Sequence, residues 1–123
     1  MIIPTLRYKD AKAAIDFLDR AFGLERKAVY ENEDGTIGHA ELTYGRGMVM
    51  LGGSGAGDPQ FETRHSSIYV IVDDADAAYE RAKAAGAEIT RELQDMDYGS
   101  REFSARDPEG NAWSFGTYDP FAS

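Results

Sequence analysis

The sequence predicts a single α+β domain made of two pseudo-symmetric βαβββ modules. The first observation behind this prediction is a pair of similar helical segments, "KDAKAAIDFLDRAFGLE" at 9–25 and "DDADAAYERAKAAGAE" at 73–88. The second is that each segment follows one strand-like stretch and precedes three more. The third is a Gly-rich stretch between the halves. Internal similarity at a fixed spacing indicates a repeated structural unit.

The two helices are predicted at about residues 11–22 and 75–85. Each follows an aspartate, Asp10 or Asp74, whose side chain suits the N-cap. Each is followed by a glycine, Gly23 or Gly86, which suits the left-handed residue after a last turn. Apolar residues at helical spacing form one stripe in each helix: Ala14, Phe17, Leu18, Ala21 and Phe22, and Ala75, Ala78, Tyr79, Ala82 and Ala85.

The strands repeat as well. "MIIPTLRY" and "HSSIYVIV" open the two halves, and "GHAELTYGRGMVML" (38–51) aligns with "GSREFSARDPEGNAWS" (99–114), which matches Glu41 to Glu102. Asp107-Pro108-Glu109-Gly110 has the composition of a tight turn before the last strand. We therefore expect one domain over 1–123, with modules at about 1–52 and 65–119. A flexible Gly-rich linker at 53–64 joins them.

Composition limits the possible partners. A chain of 123 residues suits one compact domain, and 42% hydrophobic with 28% charged residues is ordinary for a soluble protein. No apolar run approaches the roughly 18 residues of a membrane span, and the absence of cysteine fits a cytoplasmic protein. The net charge of −9 argues against nucleic acid or an anionic membrane as partner. It would favour a cationic ligand, although a solvated acidic surface is the simpler explanation of the charge.

Three pieces of the chain together resemble one superfamily: "AIDFLDRAFGLE", "GHAELTYGRGMVML" and "DPEGNAWSFGTY". They are similar to the vicinal oxygen chelate superfamily of glyoxalase I, bleomycin resistance proteins, extradiol dioxygenases and fosfomycin-modifying enzymes. These segments most resemble the PhnB-like and bleomycin-resistance-like branch of the superfamily. The resemblance implies that each half curls into a cup with its helix on the outer face. It also implies that two cups, from the same or swapped chains, enclose a ligand.

The resemblance also implies where a metal would bind. Metal-dependent members carry ligands on the first and fourth strands of each half, and by motif these positions are Ile3, Leu51, Ser67 and Ser114. Isoleucine and leucine have no ligating atom, and a neutral serine hydroxyl is a poor ligand by itself. We therefore expect no metal and no cofactor, and the metal-dependent activities of the superfamily are not carried over.

Strand alternation predicts which side chains line the cups. One parity is expected to pack on the helices: Leu6, Tyr8, Met48, Met50, Ile68, Val70, Val72, Trp113 and Phe115. The other parity is expected to line the cups: Ile3, Thr5, Arg7, His39, Glu41, Thr43, Val49, Leu51, Ser67, Tyr69, Ile71, Glu102, Ser104, Ala112 and Ser114. A few polar groups on an apolar wall are typical of small-molecule pockets. The predicted ligand-binding residues are Arg7, His39, Glu41, Leu51, Ser67, Tyr69, Glu102 and Ser114.

His39, Glu41 and Glu102 are the candidate catalytic residues. His39 and Glu41 stand two apart on one strand face, either as an acid/base pair or as a hydrogen-bonded pair facing solvent. Glu102, facing Glu41 by pseudo-symmetry, would raise the pKa of one carboxylate. Alternatively, each carboxylate has its own cation, for which Arg7 is a candidate. Tyr69 is either a stacking surface or a residue that fills the cup.

Two functions remain open on the sequence. One is a metal-independent homodimer that sequesters an aromatic, cationic or zwitterionic small molecule, as drug-resistance proteins of this superfamily do. The other is an enzyme of the same fold, lyase, isomerase or dioxygenase-like. It would use His39, Glu41 and Glu102 as acid/base groups, or a shifted metal site.

Overall fold

A computed structural model describes residues 1–54 and 65–122. The elements follow the predicted order in both halves. They are β1 (Thr5–Tyr8), α1 (Ala11–Phe22), β2 (Glu25–Glu31), β3 (Ile37–Tyr44), β4 (Gly47–Gly53), β5 (Ser67–Ile71), α2 (Ala75–Ala84), β6 (Glu88–Asp95), β7 (Arg101–Arg106) and β8 (Ala112–Gly116). The prediction of two βαβββ modules is confirmed. Gly53 ends β4 instead of starting the linker, and residues 55–64 of the predicted linker lie outside the described residues.

Each module forms one four-stranded mixed sheet. The strand orders are β1-β4-β3-β2 and β5-β8-β7-β6. In both sheets the first strand pairs in parallel with the fourth, with Thr5 opposite Met50 and Tyr69 opposite Ser114. The remaining pairs are antiparallel. The matching order and register give the chain its pseudo-symmetry.

The helix ends follow the capping residues. The Asp10 side chain accepts a hydrogen bond from the Ala13 amide at 3.1 Å, and Asp74 does the same for Ala77 at 3.0 Å. Gly23 ends α1 with a φ of 77°, a left-handed conformation that costs a residue with a Cβ about 1–2 kcal/mol. The second helix ends at Ala84, one residue before the predicted end.

The two modules share one hydrophobic core on the helix-facing sides of the sheets. The Phe22 ring of α1 lies 5.3 Å from Trp113 and 4.9 Å from Phe115, both on β8 of the other module. Phe103 stacks on Phe115 at 4.8 Å. Trp113 is 1% exposed, as expected for a core residue. The helix-facing sides are therefore fully used, and the opposite faces are left for other contacts.

A buried polar network joins the modules at the turn between β7 and β8. Asp107 is buried and accepts hydrogen bonds from the Tyr8 hydroxyl at 2.6 Å and the Trp113 indole nitrogen at 3.1 Å. The Asn111 side-chain amide also donates to it, at 3.0 Å. Burial, and next the charge of Asp107, raise the pKa of Tyr8 far above its ordinary value. Because Tyr8 belongs to the first module, this network attaches the last hairpin to it.

The same turn contacts the start of α1. Glu109 accepts the backbone N–H groups of Lys9 at 2.6 Å and Asp10 at 2.8 Å. Asn111 accepts the Ser66 N–H at 2.8 Å. The "DPEGN" segment thus satisfies backbone donors of both modules that would otherwise depend on water.

The prediction of which face of β4 packs on the helices is wrong. Val49 and Leu51 are buried in the core at 6% and 3% exposure, whereas Met48 and Met50 lie half-buried on the opposite face. All four residues are apolar, so alternation along β4 does not distinguish its faces. Pairing with β1 and β3 decides instead, since Met50 stands opposite both Thr5 and Glu41. Among the described residues, no helix is both long and apolar enough to cross a membrane.

Candidate functional site

The side of each sheet away from the helices is here called its cup: the first cup belongs to β1-β4-β3-β2 and the second to β5-β8-β7-β6. The second cup holds a concave space of about 380 Å³. Its lining residues are Tyr69, Arg91, Tyr98, Glu102, Ser114, Tyr118 and Pro120. Three predicted site residues, Tyr69, Glu102 and Ser114, are thus brought together here, with four residues that the sequence did not indicate.

Glu102 is the charged residue on the floor of this space, and its side chain is only 5% exposed. Its Oε1 accepts a hydrogen bond from Arg91 Nη2 at 3.0 Å and another from the Tyr98 hydroxyl at 2.8 Å. The hydrogen bond to Glu102 is also the main reason that the pKa of Tyr98 is raised. Removing a carboxylate from water is costly unless it is paired, and Arg91 supplies the pairing charge.

Irregularities in β6 place Arg91 in the second cup. The β6–β7 register shifts between Ile89 and Arg91 and again before Gln94. Ile89 stands opposite Ala105, which is in the core, while Arg91 stands opposite Ser104 on the cup side. Residues two apart share a face in a regular strand, and a bulge breaks that rule and re-aims a side chain. Strict alternation therefore misses Arg91.

Arg91 is incompletely satisfied. Its Nε is buried and is the only such side-chain nitrogen or oxygen among the described residues that has no hydrogen-bond partner. An unpaired buried donor costs about 1–3 kcal/mol, and each one in a native structure calls for an explanation. Such groups are typical of sites where a function outweighs local stability.

A glycine makes room for the floor of the second cup. A Cβ on Gly116 would lie 2.5 Å from the Tyr69 hydroxyl and 2.6 Å from Glu102 Cγ. The Tyr69 hydroxyl donates to the Tyr118 carbonyl oxygen at 2.9 Å, and burial is the main cause of the raised pKa of Tyr69. With no side chain at Gly116, the tyrosine and the glutamate both lie directly over the strand.

Tyr98 and Tyr118 complete the aromatic wall from outside the strands. Tyr98 lies in the β6–β7 turn and Tyr118 in the segment after β8, with their rings edge to face at 6.2 Å. The Tyr118 amide donates to Ser100 Oγ at 3.0 Å, which holds this segment against the sheet. Both tyrosines are about half exposed. Because they follow no strand alternation, only their presence beside turns marks them in the sequence.

The two predicted serines differ in position. Ser114 Oγ lies 2.8 Å from Ser104 Oγ, so each hydroxyl has a partner within the second cup. Ser67 is exposed at the start of β5, opposite Ala112, and does not line the concave space. Ser114 therefore belongs to the candidate site, and Ser67 stands at its margin.

The first cup carries the His39–Glu41 pair. His39 Nε2 lies 3.1 Å from Glu41 Oε2, and Lys27 Nζ lies 3.7 Å from Glu41 Oε1. The Tyr30 ring stacks near the imidazole at 6.1 Å. The His39 side chain is 42% exposed and that of Glu41 24%. This is the geometry of a hydrogen-bonded pair near solvent.

Arg7 lies half-buried on β1 of the first cup. Its Nη1 lies 2.5 Å from where a Cβ on Gly52 would be, so this cup also has a polar side chain over a strand glycine. Leu51 is in the core, as described above, so it is removed from the predicted ligand-binding residues.

Glu41 and Glu102 do not form the expected pair within the chain. They lie on different sheets, and each has its own partners: Lys27 and His39 for Glu41, and Arg91 for Glu102. The sequence alignment that matched Glu41 to Glu102 is also wrong. Met50 and Ser114 occupy matching positions in the two sheets. Glu41 pairs with Met50, whereas Ser104 pairs with Ser114, so Glu41 corresponds to Ser104 and not to Glu102. The longer second hairpin, which the alignment had to accommodate, explains the error.

The residues at the metal positions do not fit a divalent ion. The register replaces Leu51 by Met50 at the fourth-strand position, so the set becomes Ile3, Met50, Ser67 and Ser114. It contains no carboxylate and no imidazole, and a thioether is a ligand for soft metals only. Over 1–54 and 65–122, no group of three or more His, Cys, Asp or Glu side chains is placed to hold a metal ion.

Comparison with known proteins identifies relatives over nearly the whole chain. Residues 3–115 match the family described as Glyoxalase/Bleomycin resistance protein/Dioxygenase superfamily. An uncharacterized protein of Mycobacterium bovis is 33% identical over 121 residues, covering 92% of this chain and 80% of the relative.

Solved structures agree with this result. TioX from Micromonospora sp. ML1 is 33% identical, with a TM-score of 0.78 over 94% of this chain and 95% of that one. The bleomycin-binding protein of Streptomyces verticillus, solved with copper(II)-bleomycin, is 22% identical, with a TM-score of 0.68 over 96% and 95% of the two chains. At that identity the second likeness concerns the fold alone.

Proposed function

Because the chain belongs to the glyoxalase/bleomycin resistance protein/dioxygenase superfamily, we propose that it is a metal-independent, dimeric small-molecule-binding protein. Its ligand is aromatic, cationic or zwitterionic, and its role resembles drug sequestration. The observation that carries the proposal is the buried Glu102 beneath the tyrosines of the second cup. A desolvated charge under an aromatic wall suits ligand recognition, whereas a sheet face with a purely structural role does not require one.

The chemistry of the second cup supports this ligand class. The flat faces of Tyr69, Tyr98 and Tyr118 offer stacking surfaces, and a cation over such a face gains about 0.5–2 kcal/mol. Glu102 offers an acceptor, and Arg91 beside it offers a positive charge. A zwitterion or an aromatic cation complements that combination better than a simple anion does.

The exposed apolar surface supports a dimer. In the single chain, Tyr69 is 40% exposed, Ile71 37%, Tyr98 55% and Tyr118 51%, all around the second cup. Apolar surface of this kind marks an interface or a ligand groove, and a two-fold partner would cover it. Val49 and Leu51, which were expected to line the cups, are core residues and add no exposed apolar surface.

A precedent for ligand capture comes from the Streptomyces verticillus protein, which is named for binding bleomycin and shares this fold. The donor set of the present chain supports metal independence, since a hydroxyl-, thioether- and alkyl-lined set does not attract a divalent ion. The absence of cysteine is consistent with a cytoplasmic location.

The second candidate is an enzyme of the same fold, lyase, isomerase or dioxygenase-like. The observation that favours it is the 3.1 Å contact between His39 and Glu41, within reach for proton transfer. Elemental analysis separates one form of this candidate, a shifted metal site, from the binding protein. About one metal ion per chain, lost to a chelator together with stability, would favour the enzyme.

The binding proposal is tested by calorimetry against cationic aromatic, neutral aromatic and anionic compounds. We expect cationic or zwitterionic aromatics to bind, with affinity that falls as salt rises. Replacing Glu41→Gln and Glu102→Gln together should weaken binding and flatten the salt dependence. The matched control is Glu33→Gln with Glu80→Gln, two exposed carboxylates that change the net charge equally. Binding of anions alone, or unchanged cation binding by the first variant, contradicts the proposal.

A further inference from the structure

The two carboxylate oxygens of Glu102 are used differently. Oε1 accepts both hydrogen bonds, from Arg91 and from Tyr98. Neither of these hydrogen bonds reaches Oε2, and Tyr69 is the one described residue whose pKa shows a further hydrogen bond to the carboxylate, as the smallest of its causes. The side chain as a whole is 95% buried, so this oxygen is a buried acceptor with capacity for a further donor on the floor of the second cup.

Oε2 is nevertheless reachable from the concave space. Oε2 would lie 2.8 Å from a Cβ on Gly116, and the missing side chain leaves that side of the carboxylate uncovered. Glu102 itself lines the concave space.

The neighbouring Tyr69 hydroxyl leaves this oxygen able to accept a further hydrogen bond. Tyr69 O–H lies close to the same Gly116 position, but its single proton is donated to the Tyr118 carbonyl oxygen at 2.9 Å. A tyrosine hydroxyl has one proton to donate. Hydrogen bonding to Glu102 is only the smallest cause of the raised pKa of Tyr69, so this hydroxyl does not use the full accepting capacity of Oε2.

From this geometry we infer that Glu102 Oε2 selects ligands that carry an N–H or O–H donor on an aromatic ring. The inference rests on the proposed binding function and names the chemical feature of the ligand that the second cup recognises. Because Arg91 already balances the charge of Glu102, a neutral donor suffices and a full positive charge is not required. The ring lies among Tyr69, Tyr98 and Tyr118 while its donor reaches Oε2.

The variant Glu102→Gln provides a sharp test. Arg91 and Tyr98 both donate to the Oε1 position, so the amide oxygen of the new side chain takes that place. The amide NH₂ then occupies the position of Oε2 and presents a donor to the space. The shape of the floor is kept, and the acceptor is replaced by a donor.

The probes are indole and benzofuran, which have nearly the same shape and differ by N–H against ring oxygen. Their affinities are measured by NMR titration, with the tyrosine ring signals reporting the site. Wild type should bind indole about tenfold more tightly, since only indole can donate a hydrogen bond to the charged acceptor. In Glu102→Gln the preference should fall to within about twofold or reverse. Glu80→Gln, at an exposed carboxylate of α2, is the control and should keep the wild-type preference.

Each remaining outcome contradicts a defined statement. Equal affinities in wild type, or a preference that survives in Glu102→Gln, overturn the donor rule and leave the binding function standing. If neither probe shifts any tyrosine signal, both the donor rule and the proposal that the second cup is a binding site are contradicted. If Glu102→Gln does not fold, the wild-type comparison is the test by itself, and equal affinities for indole and benzofuran contradict the rule.

Discussion

At the scale of the residue, Asp107 shows how one buried carboxylate holds distant segments together. It accepts hydrogen bonds from Tyr8, Asn111 and Trp113, and from the backbone N–H groups of Glu109 and Asn111. Because the carboxylate is buried, the loss of one donor is not repaired by bulk water. Each donor therefore contributes to stability beyond its share of apolar burial.

We expect Tyr8→Phe to lower the free energy of unfolding by about 1.5–3 kcal/mol, the range for a hydrogen bond to a charged group. The aromatic ring stays, so the core volume is unchanged. The measurement is urea denaturation near neutral pH. Tyr30→Phe, at a tyrosine that is 61% exposed, is the matched control and should change stability by less than about 0.5 kcal/mol.

The pH dependence checks the same contact. The pKa of Tyr8 is raised in the folded state, so the folded protein binds this proton more tightly than the unfolded chain. Its contribution is complete below the ordinary pKa of 10.0 and is lost as the pH rises above it. The stability difference between wild type and Tyr8→Phe should narrow above about pH 10. A difference that is constant with pH contradicts the assignment.

At the scale of the element, the fourth strand of each module supplies a glycine on which the cup floor is built. Gly52 of β4 lies beneath Arg7, and Gly116 of β8 lies beneath Glu102 and Tyr69. The two glycines occupy matching places in the two sheets. The irregular β6 then adds Arg91 to the second cup alone, so the two similar modules acquire different chemistry.

Gly116→Ala should disturb the second cup. The new methyl group meets the Tyr69 hydroxyl and Glu102 at contact distances of 2.5–2.8 Å, so both must move. We expect overpacking to cost about 1–3 kcal/mol of stability and probe binding to weaken several-fold. Thermal unfolding and NMR titration with indole measure the two effects.

Gly47→Ala is the control for this substitution. Gly47 is also on a strand, is exposed, and its new Cβ would meet only the Tyr44 carbonyl oxygen, at 3.4 Å. It should leave indole binding unchanged. If Gly116→Ala folds and binds indole like wild type, the account of the second cup floor is wrong.

At the scale of the whole molecule, packing among the described residues leaves several apolar side chains of the cups exposed. The helices and the helix-facing sides of both sheets are buried against one another. Tyr69, Ile71, Tyr98 and Tyr118 stay exposed on the other side, together with Tyr30 near the first cup. A second copy related by a two-fold axis is the simplest way to cover such a surface.

We expect a homodimer at concentrations on the order of tens of micromolar, measured by light scattering. Ile71→Glu places a charge in the apolar surface and should raise the proportion of monomer. Ala84→Glu, on an exposed position of α2, is the control and should leave the dimer intact. A monomeric wild type at these concentrations contradicts the expectation.

Several features followed from the sequence because they depend on neighbours along the chain. The N-caps Asp10 and Asp74, both helices, the order of strands and the core position of Trp113 were all predicted. Local hydrogen bonds and the period of apolar residues control these features. The repeat extended this local information to two modules, and the superfamily relationship confirmed it.

Other features were decided only by tertiary structure. The apolar run of β4 was consistent with either face until pairing with β1 and β3 buried Leu51 and turned Met50 outward. Arg91 reached the second cup through a bulge, and Tyr98 and Tyr118 through segments outside the strands. Alternation predicts a face only where polar and apolar residues take turns along a regular strand. The chemistry of the second cup depends on a bulge and on folded connections, so contacts between distant segments determined it.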